Sequence, residues 1–344
     1  MATGRFDEKA GKRGVRIEDV ARLAGVSPIT VSRALHHPDK VRDATREKVE
    51  QAVLQTGYVV DAFASALRTG RSSIVPMFVN DLQNEHFAKA IRGCAAVLKN
   101  SGYQLMMAQT DYDDALQHHY LQSILPLRPA ALIYTGVVRV EGTQSTLRSL
   151  GIPIMEMWDF TTDPIDMLVG FSNFEGGQLV GQHFGERGFQ TIAYCGRTEG
   201  RGALRLQGFQ EALARFGART SMVLPLNGVR SISDGKEALA TIFSDLPDCD
   251  AIFFGKDALA VGAIFACRSR GIAMPGDLAI AGFGDIEISS QLSTPLTTVR
   301  VSGYDMGVAA GQNLLKRLAG ETLDNKSVLY PLELVARATT QGIP

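Results

Sequence analysis

The reactive side chains of this sequence form no pattern that would support catalysis or metal binding. The sequence lacks a GxSxG nucleophile elbow, a GxxxxGKS/T phosphate loop and a GxGxxG dinucleotide fingerprint after its first predicted strand. Its four cysteines are scattered without CxxC spacing, and we expect them to be reduced packing residues: Cys94, Cys195, Cys249 and Cys267. No enzyme activity, metal or cofactor is therefore expected.

A different chemistry, hydrogen-bond donation, is concentrated in the sequence SPITVSR at residues 27–33. Ser27, Thr30 and Ser32 carry small hydroxyl groups of the kind that suits phosphates, and the planar fork of Arg33 can donate two hydrogen bonds to one guanine. These donors could act together only if one element of secondary structure presents them side by side.

The spacing of apolar residues predicts that element. From Ile17 to Ala24 they recur at i, i+3, i+4 and i+7, which indicates a helix that Gly25 ends. Ser27 is a good N-cap and Pro28 suits a first helical position, so a second helix is expected at once. Two short helices joined by a tight turn form a helix-turn-helix, although an ordinary helical hairpin has the same periodicity.

The first 72 residues look like a small basic domain. A third helix is expected from a cap at Asp43 to a stop at Gly57, buried through Val49, Ala52 and Val53. The segment holds 13 Lys and Arg against 9 Asp and Glu, a balance of +4, whereas the whole chain carries −1 and the remainder therefore −5. This uneven distribution favours a polyanionic partner for the amino-terminal segment alone.

The rest of the 344-residue chain is too long for one compact core and alternates strand-like with helix-like stretches. Strands are expected at IVPMFV, YQLMMAQ, AALIYT and IPIMEM in a first lobe, and at TIAYC, SMVLP, AIFFG and LAIAGF in a second. We expect two doubly wound parallel sheets that face each other across a cleft at the carboxyl ends of their strands, where such sheets bind ligands.

The segment IEDVARLAGVSPITVSRAL, together with VGFSNFEGG, ALRLQGF, DALAVGA and TPLTTVR, closely resembles the lac repressor and galactose repressor family over residues 15–344. Within it, DMLVGFSNFEGG and SPITVSRAL are most similar to gluconate-type repressors. The resemblance implies a small all-α helix-turn-helix DNA-binding domain plus an α/β periplasmic-binding-protein-like core. It also implies that Pro28, Ile29 and Arg33 face base edges in the major groove while Ser27, Thr30 and Ser32 contact phosphates.

The segment YVVDAFASALRTGRS resembles the family's hinge, a helix that forms on the operator. The resemblance makes Leu67 a wedge in the minor groove and Ala64 the point where two such helices meet in a dimer. Val60 and Asp61 replace the family's usual Pro-Asn before it, and a plain linker remains the alternative. The expected boundaries are a tail at 1–14, a reader at 15–58, a hinge at 59–72 and a core at 73–344, with a first lobe at about 73–171 and 303–330 and a second at about 172–302 and 331–344.

Ligand contacts in the cleft are also inferred from the resemblance. Arg205 matches the arginine that grips effector oxygens, Lys256 stands where neutral-sugar relatives often have Asn, and Gly284 stands where they have Asp. The last two differences make the cleft more positive, which favours a sugar acid such as gluconate or a keto-gluconate. The other expected lining residues are Asp81, Asn84, Phe87, Trp158 and Arg230; Trp158 could equally be lobe packing, and Arg230 a surface residue.

The sequence thus predicts a transcriptional repressor that a sugar acid releases from a palindromic operator. A neutral-sugar or purine effector, or a solute-binding protein without DNA function, remains the alternative. Because no signal peptide and no leucine-heptad tail are visible, we expect a homodimer in the bacterial cytoplasm, on the nucleoid when bound, with no membrane contact.

Overall fold

A computed structural model describes residues 15–36, 38–59 and 72–341, and the chain forms two compact units that divide between residues 70 and 71. The first unit contains α1 (Ile17–Ala24), α2 (Pro28–His36), a short 3₁₀ turn (Pro38–Lys40) and α3 (Asp43–Thr56). The hinge residues Val60, Asp61, Ala64 and Leu67 lie outside the described residues.

The first unit has the predicted helix-turn-helix. Gly25 adopts the left-handed conformation, with φ 66°, that ends α1 and turns the chain into α2. The three helices share a core of small apolar side chains: Val20, Ala21, Val31, Ala34, Val49 and Ala52. One cap prediction was wrong, because Asp43 is the first residue of α3 and Arg42 precedes it as the cap without a side-chain hydrogen bond.

The second unit contains two six-stranded sheets. The first sheet consists of β1 (Ile74–Val79), β2 (Gln104–Gln109), β3 (Leu132–Tyr134), β4 (Ile154–Met157), β5 (Met167–Gly170) and β11 (Ser327–Leu329). The second sheet consists of β6 (Ile192–Gly196), β7 (Thr220–Pro225), β8 (Ala251–Phe254), β9 (Ala279–Gly284), β10 (Thr297–Arg300) and β12 (Glu333–Val335).

Helices alternate with these strands, as the sequence pattern predicts for a doubly wound fold. They are α4 (Glu85–Leu98), α5 (Asp114–Ile124), α6 (Glu141–Ser149), α7 (Asn173–Arg187), α8 (Arg201–Ala214), α9 (Ile232–Asp245), α10 (Asp257–Arg270), α11 (Glu287–Gln291), α12 (Gly303–Leu318) and α13 (Ala338–Gln341). Helix α4 packs against α12, α7 against α8, and α9 against α10.

Both sheets have the same strand order. The first runs β11-β5-β4-β3-β1-β2 and is parallel throughout; the second runs β12-β10-β9-β8-β6-β7 and is parallel except for β12. In each sheet the order reverses once, between β1 and β3 in the first and between β6 and β8 in the second. A doubly wound sheet binds ligands at this reversal, beyond the carboxyl ends of its strands.

The two-sheet fold confirms the predicted fold class, and each of the eight quoted stretches contains a strand. Four strands had not been predicted: β5, β10, β11 and β12. Each of them spans only three or four residues, too few for a clear alternation of apolar and polar side chains. Among the described residues, no helix is long and apolar enough to cross a membrane, and no cluster of three candidate metal ligands occurs.

Candidate functional site

Helix α2 presents its donors on an exposed face. Its N-cap holds as predicted: Ser27 Oγ accepts a hydrogen bond from the Thr30 backbone N–H at 3.2 Å and contacts Thr30 Oγ1 at 2.9 Å. Ser27, Pro28 and Ile29 are exposed, and Thr30 and Ser32 are half-buried. Val31 and Ala34 face the core instead, so one face of the helix is buried and the opposite face is exposed.

Two exposed residues of α2 have the properties of a base contact. The side chain of Ile29 is 69% exposed, which leaves a large apolar group in water unless a partner covers it. The exposed Arg33 guanidinium forms no ion pair or hydrogen bond with any residue that the structure describes. An unpaired arginine beside an exposed apolar side chain can donate to a guanine while the apolar group contacts a thymine methyl.

A cleft lies between the two sheets at their points of reversal. Asn80 and Asp81 follow β1 and Thr135 follows β3, while Arg197 follows β6 and Gly255 and Lys256 follow β8. Residues from both lobes line a concave space between them. We call this space the central cleft, and its polar lining consists of Asn84, His86, Tyr112, Arg197, Arg201, Arg205, Arg230 and Lys256.

Aromatic rings form the apolar wall of the central cleft. Phe87 stacks on Trp158 with ring centroids 5.2 Å apart, and Trp158 contacts Phe171, which contacts Phe283. Trp158 lies at a positive φ of 73°, a backbone conformation that costs free energy and that surrounding contacts must hold. It is 4% exposed and still lines the cleft, so it combines the packing and lining roles that the sequence left open.

Arg205 is held by α8 with its guanidinium against the ring of Phe283, 3.5 Å from the centroid. Its Nη1 donates to the carbonyl of Gly255 and its Nη2 to Asn173 Oδ1 at 2.6 Å, while its buried Nε has no partner. Burial lowers the pKa of Arg205 to about 10, so the group still carries its charge at neutral pH. Its hydrogen-bond acceptors among the described residues are neutral, so no described carboxylate contacts this buried guanidinium directly, and Asp159 acts on it only from a distance.

Arg201 stands one helical turn before Arg205 and also lacks a carboxylate partner among the described residues. Its guanidinium donates to the carbonyl of Thr135 at 3.0 Å and to Asn80 Oδ1 at 3.2 Å, both in the opposite lobe. It lies 5.2 Å from the ring centroid of Phe87. Two neighbouring guanidinium groups without counterions make this part of the cleft a favourable place for an anion.

Lys256 has a carboxylate partner, which the sequence-based interpretation did not foresee. Its Nζ lies 2.8 Å from Asp81 Oδ2, and it also donates to the carbonyl of Arg230. Asp81 is fully buried, so its carboxylate neutralises Lys256 rather than facing a ligand. The expectation that Lys256 adds free positive charge is corrected accordingly: Asp81 and Lys256 form an ion pair that joins the two lobes.

The cleft side of Gly284 is occupied by His86 from the opposite lobe. Gly284 has a φ of 141°, and a Cβ atom at this position would overlap His86 Nε2. His86 is 7% exposed, and neither of its ring nitrogens has a hydrogen-bond partner among the described residues. Burial, followed by the charge of Lys89, lowers the pKa of His86 to about 4, which keeps the imidazole neutral. A neutral imidazole can offer one donor and one acceptor to a ligand.

The depressed pKa of His86 predicts a measurable pH dependence. Between about pH 6.5 and pH 4 the unfolded chain takes up a proton on this histidine and the folded chain does not, so stability falls as the pH falls. Over this range the free energy of unfolding of the wild type should fall by on the order of 3 kcal/mol because of His86. The substitution His86→Gln should abolish that part of the fall. Urea unfolding of both proteins at pH 7.5 and 4.5 measures this change in the free energy of unfolding.

His119→Gln, at an exposed histidine, is measured beside it as a control for the replacement of an imidazole by an amide. Equal pH dependence in the wild type and in His86→Gln would contradict the inferred burial of a neutral imidazole.

The remaining predicted residues lie in or beside the central cleft. Asn84 caps α4 through a hydrogen bond to the His86 backbone N–H at 3.0 Å and lines the cleft, as does the buried Phe87. Arg230 also lines it, held by the carbonyl of Asn227 at 2.9 Å and by Asp234 at 3.2 Å. The structure therefore brings six of the eight predicted residues to the lining; Asp81 and Gly284 lie behind it.

Sequence reasoning missed four polar residues of the cleft: His86, Tyr112, Arg197 and Arg201. A signal for Arg201 was present, because it lies four residues before Arg205 and therefore on the same helix face. His86 is adjacent to the predicted Phe87, but only the fold shows that it fills the space beside Gly284.

A helix-turn-helix unit with an exposed donor face, followed by two doubly wound lobes around a ligand cleft, defines a class of protein: a DNA-binding transcription regulator with a small-molecule site. Family models agree. Residues 16–61 match the bacterial regulatory proteins of the lacI family, and residues 182–340 match a periplasmic binding protein-like domain.

Full-length relatives identify the family. The HTH-type transcriptional regulator GntR of Escherichia coli (strain K12) is 32% identical over 311 residues, which are 90% of this chain and 94% of that protein. GntR of Pseudomonas aeruginosa is 30% identical over 326 residues, 94% of this chain and 95% of that protein. The chain belongs to the lacI family of bacterial regulatory proteins and is a DNA-binding transcriptional regulator.

Solved structures share the whole fold. A lacI-family regulator from Silicibacter pomeroyi superposes with a TM-score of 0.88 at 28% identity, covering 95% of this chain and 99% of that one. The lac repressor dimer bound to operator and an anti-inducer has a TM-score of 0.79 at 23% identity, with coverage of 95% and 99%. The relatives are regulators rather than enzymes, in line with the missing catalytic motifs.

Proposed function

We propose that this regulator is a homodimeric repressor that leaves a two-fold symmetric operator when a sugar acid binds in the central cleft. In a dimer, two copies of α2 meet two half-sites, with Arg33, Ile29 and Pro28 facing base edges and Ser27, Thr30 and Ser32 contacting phosphates to position the helix. The hinge residues Ala64 and Leu67, outside the described residues, are proposed to add a minor-groove contact.

The observation that carries the proposed ligand is the charge of the central cleft. Five cationic side chains line it, and no Asp or Glu is among its described lining residues. Three of the cations have partners outside the lining: Arg197 has Glu199, Arg230 has Asp234 and Lys256 has Asp81. Arg201 and Arg205 form no ion pair with any described residue and donate only to neutral acceptors. A carboxylate at these two arginines would compensate the charge that the fold leaves unpaired.

The other walls of the cleft favour a sugar over a simple acid. Neutral His86 and the Asn84 amide can exchange hydrogen bonds with hydroxyl groups, and the aromatic wall offers faces for C–H groups. Gly284 lacks the carboxylate of the Asp that neutral-sugar relatives have at this position, and His86 fills the space beside it. We therefore assign the carboxylate to Arg205 and Arg201, with Lys256 holding the lobes together through Asp81.

A ligand panel tests this proposal. Isothermal titration calorimetry of the wild type with gluconate, 2-keto-gluconate and glucose should show binding of at least one acid and a preference of about tenfold or more over the neutral hexose, because a charge-assisted hydrogen bond contributes about 1.5 to 3 kcal/mol. Preference for glucose, or for a purine added to the same panel, would contradict a sugar-acid effector.

A further inference from the structure

We propose that a second cavity next to the central cleft is a subsite for a neutral, polyhydroxylated group, so that the effector can carry a second sugar ring beyond its acidic unit. This inference rests on the proposed function for the identity of the first unit. The cavity lies between the ends of β1, β2 and β3 in one lobe and residues 197–201 in the other.

The two cavities adjoin at a group of three side chains. Tyr112, Arg197 and Arg201 line both of them. The guanidinium of Arg197 lies over the Tyr112 ring at 4.3 Å, and that of Arg201 lies 5.4 Å from the same ring. A ligand whose carboxylate binds Arg201 from the central cleft therefore has a neighbouring cavity within reach of its other end.

One buried polar group points to an occupant. Tyr134 lines the second cavity, its side chain is only 1% exposed, and its hydroxyl group has no hydrogen-bond partner among the described residues. The ring itself is firmly packed, stacked on Phe78 with centroids 4.7 Å apart. Burial and the charge of Glu156 raise the pKa of Tyr134, so the hydroxyl stays protonated and can donate. Buried polar groups normally have partners, and a ligand in this cavity can supply one.

The charges of this cavity differ from those of the central cleft. Its arginines are engaged: Arg139 binds Asp159 at 2.7 Å, Arg197 lies 3.7 Å from Glu199, and Arg201 donates to Thr135 and Asn80. A second carboxylate would instead face Asp114, Asp159 and Glu199, which line this cavity, because its one arginine without an ion pair, Arg201, is assigned to the first carboxylate. Hydroxyl and amide groups remain in the lining, from Thr110, Thr135, Asn80 and Gln117. Such neutral donors and acceptors, beside aromatic rings, fit the hydroxyl groups of a sugar.

Tyr134→Phe gives a sharp test, because it removes a hydroxyl without a protein partner and keeps the stacked ring. Calorimetry is run with gluconate and with maltobionate, a gluconate that carries a glycosidically linked glucose. The wild type should bind maltobionate about fivefold or more tightly than gluconate, and Tyr134→Phe should lower the maltobionate affinity by about fivefold while leaving gluconate within about twofold. The control Tyr103→Phe, at the amino-terminal end of β2, should change neither affinity.

A second pair of ligands separates this inference from the sugar-acid proposal. If neither acid binds the wild type, the sugar-acid effector fails, and maltose and glucose are compared on the same variants. A preference for maltose that Tyr134→Phe removes would still support the subsite. Equal binding of the short and long ligands by the wild type, or an equal loss for both in Tyr134→Phe, would overturn it.

Discussion

Arg205→Lys is expected to lower the affinity for a sugar acid by about two orders of magnitude. The guanidinium donates to Gly255 and Asn173 at once and lies flat on Phe283, which a lysine ammonium cannot reproduce. Loss of two charge-assisted hydrogen bonds from the guanidinium to the ligand carboxylate, at about 1.5 kcal/mol or more each, corresponds to roughly 100-fold or more. Calorimetry with the acid that the wild type binds most tightly measures the effect.

Arg215→Lys is the matched control, since Arg215 is exposed directly after the same helix, α8, and lies outside the cleft lining. It should bind the acid like the wild type. Thermal unfolding without ligand shows whether Arg205→Lys is folded. A folded Arg205→Lys protein that binds the acid within about threefold of the wild type would show that Arg205 does not hold the ligand.

Arg33→Ala is expected to remove most of the discrimination between operator and scrambled DNA. A good bidentate contact to a base contributes about 1 to 3 kcal/mol of discrimination, or roughly 10-fold to 100-fold per half-site. The substitution should leave the first unit folded, because Arg33 is exposed and makes no hydrogen bond or ion pair with a described residue. Fluorescence anisotropy with both DNA duplexes, at one fixed salt concentration, gives the ratio of affinities.

Arg22→Ala controls for the loss of a positive charge on the same unit. Arg22 lies on α1, is largely exposed and pairs with Asp19 at 3.2 Å. Its removal should weaken binding to both duplexes alike and keep their ratio. An operator preference in Arg33→Ala that equals the wild-type ratio would show that another side chain reads the sequence.

The parts of this molecule that depend on neighbouring residues were predictable from the sequence. The turn at Gly25 and the cap at Ser27 follow from local backbone chemistry, and the alternation of strands and helices predicts two sheets whose carboxyl ends form the site. Phe87 lies in the cleft lining, as its position after the first core strand suggested, and so does Arg205, which was inferred from the family resemblance.

The parts that depend on contacts between distant segments were not predictable. Asp81 and Lys256 are 175 positions apart, and no periodicity shows that a buried carboxylate neutralises that lysine. His86 and Gly284 belong to different lobes and meet only after both sheets have formed. The unpaired positive charge that the sequence suggested at Lys256 lies instead at Arg201 and Arg205. Their lack of direct carboxylate partners is visible only in the folded chain.

The most direct test of this account measures DNA release. A genomic fragment selected for tight binding to the wild type is titrated with protein in the presence and absence of gluconate, 2-keto-gluconate and glucose, at constant salt. The account predicts a selected site with two-fold symmetry, whose affinity falls when a sugar acid is present and stays the same with glucose. Failure to select any preferred fragment, or a response to glucose equal to that of both acids, would contradict it.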